Sequence, residues 1–379
     1  MNYLINIIIP VICMTIPGAC INTDTSAIEW KRGGELPSAS KGLAGPVAGI
    51  NNDVFIVAGG SNFPDSMPWL GGKKKYYSKG YAFRKTKDDS LIYYKSFHLP
   101  FNLAYAACCS TTKGVVVAGG ENETGASNKV LLVQWSEADS LIVTYLPELP
   151  FAVTNAALTC KNDKLYLAGG EMKNGVSNNF LLLDLNDISK GWQQLPQLPH
   201  AVSHAVMVAQ SNGVDTSIYI IGGRKKNDNG ISDLYNYTLE FDINKNEWVQ
   251  KQSLPYALSA GTGVATRKND IVLFGGDKGE TFHKTETIIA AINAEQNEER
   301  KTQLTEEKAR LQAAHPGFSK EVLMYNTVED KWKIIDTIPF PVPVTTTAIQ
   351  WNDEIFIPGG EIKAGVRTTQ ILAAKINAK

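Results

Sequence analysis

The 379-residue sequence has no excess of charge of either sign: 37 basic side chains stand against 38 acidic ones, for a net charge of −1. It therefore lacks the basic field that nucleic acids and anionic membranes select, and nucleic-acid binding is set aside. Histidine is scarce, and His98, His200, His204, His283 and His315 are scattered. His200 and His204 are four apart in "LPHAVSHAVMVA", but that segment reads as extended chain, where such a pair is not brought together as on a helix. Neither a metal nor another cofactor is expected, and a copper-radical centre of His, Tyr and Cys is not in sight. Cysteine supplies no disulfide framework: of five, Cys108, Cys109 and Cys160 sit in apolar runs without metal spacing. Vicinal Cys108 and Cys109 should point to opposite faces of a strand, as small buried hydrophobes rather than a redox pair. A long apolar run occurs at the N-terminus, "MNYLINIIIPVICMTIPGAC", broken by Pro10 and too short to span a bilayer comfortably. Residues 1–19 read as an export signal, and Gly18-Ala19-Cys20 makes Cys20 a candidate for lipid attachment.

What the sequence does have is periodicity. Six glycine doublets each end a short β-branched or aliphatic run, at Gly59-Gly60, Gly119-Gly120, Gly169-Gly170, Gly222-Gly223, Gly275-Gly276 and Gly359-Gly360. Upstream of each lies an aliphatic-Pro pair: Leu36-Pro37, Leu99-Pro100, Leu149-Pro150, Leu198-Pro199, Leu254-Pro255 and Ile338-Pro339. The distance between the markers is nearly constant, 19 residues for 119 minus 100 and 20 for 275 minus 255. Strand-like runs such as "NFLLLDL" follow, then a segment containing Trp, as in "NEWVQKQSLP" and "DKWKIIDTIP". A unit of about fifty residues with four short strands resembles the kelch repeat. The fold expected is all-β, a six-bladed kelch-type β-propeller over residues 20–379, because blades that cannot bury both faces alone bury them against one another in a closed circle.

The ends are expected to close that circle. The last blade has "TTQILAAKI" as its third strand, and "AIEWKRGGELP" carries Trp30, the mark of a fourth strand with no blade before it; residues near Ala27 to Lys31 should complete the last blade. Adjacent doublets lie between 50 (169 minus 119) and 60 (119 minus 59) residues apart, but the last gap is 84 (359 minus 275). The surplus is rich in Ala, Glu, Lys and Gln, and predicts a helical insertion at about 283–318 in the fifth blade, capping one mouth.

The residues after the doublets begin loops that converge on one face: Ser61-Asn62, Glu121-Asn122, Glu171-Met172, Arg224-Lys225, Asp277-Lys278 and Glu361-Ile362. Glu at that first position recurs in three blades, but six residues on the chain has Ser127, Ser177 and Arg367, so the sixth blade alone couples this carboxylate to a guanidinium. The run Lys73 to Lys75 reads as a solvated charge run.

The segment "GGEIKAGVRTTQIL" resembles the corresponding part of the N-acetylneuraminate epimerases, the sialic acid mutarotases, which are exported bacterial kelch propellers. "GGSNFP", "GGKKKYYSKGY", "GGENETG" and the helical insertion are also similar. The Glu-bearing blade closes this chain, so the resemblance is to a cyclically permuted branch of that family. It implies that Glu361 and Arg367 are the catalytic pair. Glu361 would shuttle protons during opening of the sugar ring, and Arg367 would hold the substrate carboxylate or stabilise charge on the opening ring. Asn62, Glu121, Glu171, Arg224 and Lys278 occupy analogous loop positions and are candidates for contacts to the sugar. The resemblance implies a cofactor-free isomerase acting on N-acetylneuraminate, periplasmic or lipoprotein-anchored in a Gram-negative bacterium, the anchor being membrane attachment through a lipidated Cys20. Two other readings share the fold: a non-catalytic propeller that binds carbohydrate or protein, and a mutarotase for another sugar acid. The sequence is silent on oligomeric state.

Overall fold

The computed structural model describes residues 28–37, 41–267 and 269–377; residues 1–19, read above as an export signal, and Cys20 and Ala27 lie outside them. Six antiparallel sheets follow one another around an axis. The first blade is formed by Ala44–Asn51, Val54–Asn62, Lys79–Lys85 and Leu91–His98, and the fourth by Val206–Ser211, Thr216–Ile221, Thr238–Asp242 and Glu247–Lys251. In the third blade the outermost strand shrinks to Gln193–Gln194, and Trp192 stands just before it rather than within it. The sixth blade is completed from the other end of the chain: Ile28–Glu35 pairs antiparallel with Gln370–Ile376, with Trp30 opposite Ala374. Lys31 of that strand and Lys85 of the first blade both reach the buried Glu354 carboxylate, at 2.8 and 3.0 Å.

Each pair of neighbouring blades encloses its own apolar layer. Phe55, Phe83 and Phe356 join the first blade to the sixth, Phe180, Phe241 and Trp248 the third to the fourth, and Tyr219, Tyr325 and Trp332 the fourth to the fifth. The recurrent tryptophans do more than fill these layers. The indole N–H groups of Trp192, Trp248 and Trp332 donate, each at 2.9 Å, to the carbonyls of Pro147, Pro196 and Gln252 in the preceding blade. Those carbonyls lie three residues before the marker prolines (150 minus 147, 199 minus 196 and 255 minus 252). The Trp of one blade is thus bonded just upstream of the Pro marker of the blade before it, and the polar edge of a large, half-buried apolar side chain is satisfied there.

The glycine doublets also hold blades together. Gly59 and Gly60 have φ of 67° and 85°, backbone that glycine adopts without steric cost. A Cβ on Gly59 would lie 2.3 Å from the Leu103 carbonyl oxygen, and the N–H of Gly60 donates to that same oxygen at 2.7 Å. Gly120, Gly170, Gly223 and Gly360 make the same bond to Val153, Val202, Leu258 and Leu43.

Nearer the axis runs a closed ring of backbone hydrogen bonds. Tyr105 N–H donates to Gly45, Asn155 to Tyr105, His204 to Asn155, Ala260 to His204, Thr345 to Ala260 and Gly45 back to Thr345, at distances from 2.7 to 3.1 Å. All six residues have positive φ, between 51° at Thr345 and 61° at Gly45.

The insertion forms two helices, α1 (Glu280–Ala294) and α2 (Glu298–Ala313), placed between the second and third strands of the fifth blade. Gly279 and Asn297 precede them, and the Asn297 side chain caps α2 by accepting from Arg300 N–H. Helix α1 is tied to the fourth-blade loop through the buried Glu286, which accepts from both the N–H and the hydroxyl of Ser232 at 2.8 Å. Helix α2 packs on the first-blade turn Pro68–Leu70. The pair therefore bridges the mouth.

Deleting Ile28–Glu35 exposes the edge of Gln370–Ile376 and strands Glu354 without Lys31. The expected result is a fall in melting temperature of at least about 10 °C by calorimetry, because a whole ladder and a buried ion pair go together. An unchanged melt would show that closure contributes nothing.

Candidate functional site

Each residue that follows a doublet is pinned to the axial ring. Glu121, Glu171, Arg224, Asp277 and Glu361 form isolated antiparallel bridges with Ala104, Thr154, Ser203, Ser259 and Val344, each of them the residue just before a ring member; Ser61 pairs with Ala44 in the same way. Because a bridge fixes which way the next side chains point, the ring sets the geometry of the mouth.

Glu171, Arg224, Asp277, Glu361 and Arg367 line one cavity of about 470 Å³, roofed by Phe282, Glu286 and neighbouring residues of α1 and walled by Phe63 of the first blade. That volume suits a small molecule of monosaccharide size. In the sixth blade the hairpin Glu361–Lys363 and Val366–Arg367 sets Glu361 opposite Arg367. Glu361 Oε2 lies 2.5 Å from Arg367 Nη1, with the Arg side chain 5% exposed and the Glu side chain 20%. Glu361 Oε1 accepts from the Gly365 N–H at 3.2 Å. The Arg367 guanidinium lies over the Phe63 ring, 5.1 Å from its centre. Its Nε and Nη1 atoms are buried and, among the described residues, have no aligned hydrogen-bond acceptor; the contact with Glu361 is an ion pair without good hydrogen-bond geometry. Burial pushes the Glu361 carboxyl above the ordinary glutamate range, and the Arg367 charge, the Gly365 N–H, Lys74 and Arg224 pull it back.

A second cluster faces the same cavity. Arg224 Nη2 is 3.1 Å from His204 Nε2. A guanidinium has donors only, so His204 accepts there and carries its proton on Nδ1. That Nδ1 is 3.1 Å from Ser203 Oγ, whose hydroxyl donates to Glu171 Oε1 at 3.1 Å, while Asn155 donates to Glu171 Oε2 at 3.1 Å. Burial and the Arg224 charge hold the His204 pKa well below the usual imidazole value. The Arg224 guanidinium covers the Phe282 ring at 4.6 Å.

Three of the expected sugar contacts are placed elsewhere. Asn62 is buried, donates to the Gly42 carbonyl and accepts from Tyr77; it holds the first-blade loop rather than facing the cavity. Glu121 accepts from Tyr76 at 2.7 Å and pairs with Lys74. Lys278 pairs with Glu321 at 2.7 Å and covers the Tyr256 ring. These side chains have partners in their own or the neighbouring blade, and none lines the cavity. Lys74, read as solvated, instead lies between Glu121 and the Tyr105 ring. Sequence reasoning missed His204, which it weighed as a metal ligand, and also Phe63, Phe282 and Asp277. Phe63 stands in "GGSNFP" and was within reach of the resemblance; His204 had no linear signal, since its role follows from the ring.

Residues 146–379 match the N-acetylneuraminate epimerase family. The N-acetylneuraminate epimerase of Salmonella typhimurium is 26% identical over 194 residues, 51% of this chain and 49% of that protein. The one from Haemophilus influenzae strain PittEE is 25% identical over 198 residues, 52% of this chain and 51% of its own. The matches thus span about half the length of these curated relatives. The solved structure of YjhT superposes with a TM-score of 0.62 at 15% identity, covering 89% of this chain and 95% of that one, and shares the fold. The family match takes in 234 of 379 residues (379 minus 146, plus 1), among them the segment with Glu361 and Arg367, and the chain belongs to the N-acetylneuraminate epimerase family.

Proposed function

We propose that this protein interconverts the α and β anomers of N-acetylneuraminate, with Glu361 as the acid/base. The observation that carries the proposal is the half-buried Glu361 carboxylate beside Arg367, opening into a cavity of about 470 Å³. The sugar is a keto acid closed into a ring at C2, which carries both the anomeric hydroxyl and the ring oxygen. Glu361 takes the hydroxyl proton as the bond between C2 and the ring oxygen breaks; the ring oxygen takes a proton in return, leaving an open-chain ketone. Re-closure on the other face of C2 reverses each transfer and gives the other anomer. Both oxygens sit on one carbon, so a single carboxyl group reaches both, and such positioned proton transfer contributes about 10²-fold to 10⁴-fold. Arg367 balances the carboxylate charge as the proton leaves and returns.

The permuted blade order belongs to the same reading. A cyclic permutation limits a collinear match to part of each chain, and the matches here cover 51% and 49%. Export, with lipid attachment at Cys20, completes the proposal. Expression of the full chain in a Gram-negative host should place it in the membrane fraction, and Cys20→Ala should release it; cytoplasmic protein in both cases would contradict export.

The activity is tested by NMR on α-N-acetylneuraminate freshly released by a sialidase. Wild type should accelerate appearance of the β anomer, and Glu361→Gln should lose about 10²-fold or more of that rate while still binding the sugar. If wild type matches buffer, this sugar is not its substrate, and a binding propeller or another sugar acid is left. A Gln variant as fast as wild type would remove Glu361 from the chemistry.

The pH dependence follows from the same contacts. Glu361 must be ionised to accept the proton, so kcat/KM should fall on the acid side through a pKa above the ordinary value of about 4.3. Arg367 lowers that pKa, so Arg367→Met should move the acid limb to higher pH as well as reducing the rate. An acid limb that stays in place in this variant would show that another group titrates.

A further inference from the structure

We propose that Arg224, rather than Arg367, anchors the carboxylate of the sugar acid, and that His204 is the positioning residue that aims it. This rests on the reading of the cavity as a sugar-acid site. The two arginines differ in what is left to bind. Arg367 is committed: its Nη1 is 2.5 Å from Glu361 Oε2, its guanidinium covers Phe63, and its Nε and Nη1 atoms are buried. Arg224 has, among the described residues, no contact ion pair as close as this, and the charges of Glu171, Asp277, Glu286 and Glu361 act on it from around the cavity. The near carboxylate oxygen of Glu171 is 4.0 Å from Nη2, and the Arg224 side chain is 18% exposed to the cavity it lines. Among the described residues its guanidinium donates to one acceptor, His204 Nε2, which is uncharged. A largely buried cation whose close hydrogen-bond partner is neutral keeps both charge and donors for an anion, and the planar guanidinium matches a carboxylate with two parallel bonds.

His204 fixes the direction of those donors. Its backbone N–H belongs to the axial ring, donating to the Asn155 carbonyl at 3.1 Å. Its Nδ1–H is spent on Ser203 Oγ, which in turn donates to Glu171. This chain leaves Nε2 as an acceptor aimed at Arg224, and Phe282 stacks on the guanidinium at 4.6 Å from the α1 side. The arginine is therefore clamped between an imidazole set by the propeller and a ring set by the helical roof, and it lines the cavity.

The test compares N-acetylneuraminate with its methyl ester, which keeps the hemiketal and loses the carboxylate charge. The probe reactions are mutarotation by NMR and binding by calorimetry, with melting curves to confirm that each variant folds. Wild type should favour the acid over the ester by on the order of 10²-fold in kcat/KM. Arg224→Met should collapse that ratio to within about threefold through a rise in KM for the acid, whereas Arg367→Met should lower kcat and leave the ratio. His204→Phe, which offers Arg224 no acceptor, should raise KM for the acid about tenfold with little change for the ester, and His204→Gln, whose side-chain oxygen still accepts, should restore most of it. The proposal is overturned if Arg224→Met affects acid and ester equally, if the ratio collapses in Arg367→Met instead, or if His204→Phe and His204→Gln behave alike. A wild type that does not mutarotate but binds the acid over the ester by calorimetry, with the ratio lost in Arg224→Met, would sink the mutarotase reading and leave the anchor standing. A wild type that shows neither would sink both.

Discussion

Six backbone hydrogen bonds, running from Gly45 through Thr345, Ala260, His204, Asn155 and Tyr105 back to Gly45, close on themselves around the axis, and every other feature of the mouth hangs from them. Five of the six residues are not glycine yet have φ between 51° and 57°, a conformation that costs an L-residue about 1–2 kcal/mol. A backbone hydrogen bond contributes net only about 1 kcal/mol, so no single link sustains itself. The ring persists because the apolar layers between blades and the doublet N–H bonds hold each blade at the right distance, over-determining the strained turn. Closure by Ile28–Glu35 matters for the same reason: an open circle would lose the last link and, with it, the fixed direction of the neighbouring loops.

A near-sixfold frame presents six equivalent loop positions, and chemistry needs them to differ. The difference enters by three routes. The sixth-blade hairpin brings Arg367 back over Glu361, the fourth blade supplies a cation where its neighbours have carboxylates, and α1 and α2 roof one side of the mouth. The roof matters electrostatically as well as sterically. Burial raises the Glu361 pKa while Arg367 restrains it, so the carboxyl is held between a group too acidic to keep a proton and one too buried to give it up. An exposed glutamate on the same loop would have neither influence.

The architecture was legible because its determinants are local. A glycine doublet is required where a Cβ would meet the next blade's carbonyl, as at Gly59, and the Trp and Pro markers recur together because the indole bonds across the boundary to a carbonyl three residues before the marker proline, as Trp248 does to Pro196 ahead of Pro199. The Glu361 and Arg367 pairing was legible too, being the register of one short hairpin. What was not legible depends on orientation. Glu121 occupies the same linear position as residues that face the cavity, and Asn62 and Lys278 stand one residue further on, but Tyr76, Tyr77 and Glu321 capture them, and position within a repeat says nothing about such partners. His204 was hidden for the converse reason: its neighbours Arg224 and Glu171 come from loops 20 and 33 residues away (224 minus 204 and 204 minus 171), and only the closed ring brings them together.

The most direct test of the account is a crystal structure of the Glu361→Gln variant soaked with N-acetylneuraminate. The account predicts one sugar under α1, with its C2 hydroxyl and ring oxygen within hydrogen-bond distance of residue 361. A sugar bound with C2 remote from residue 361, or bound outside the cavity, would contradict it.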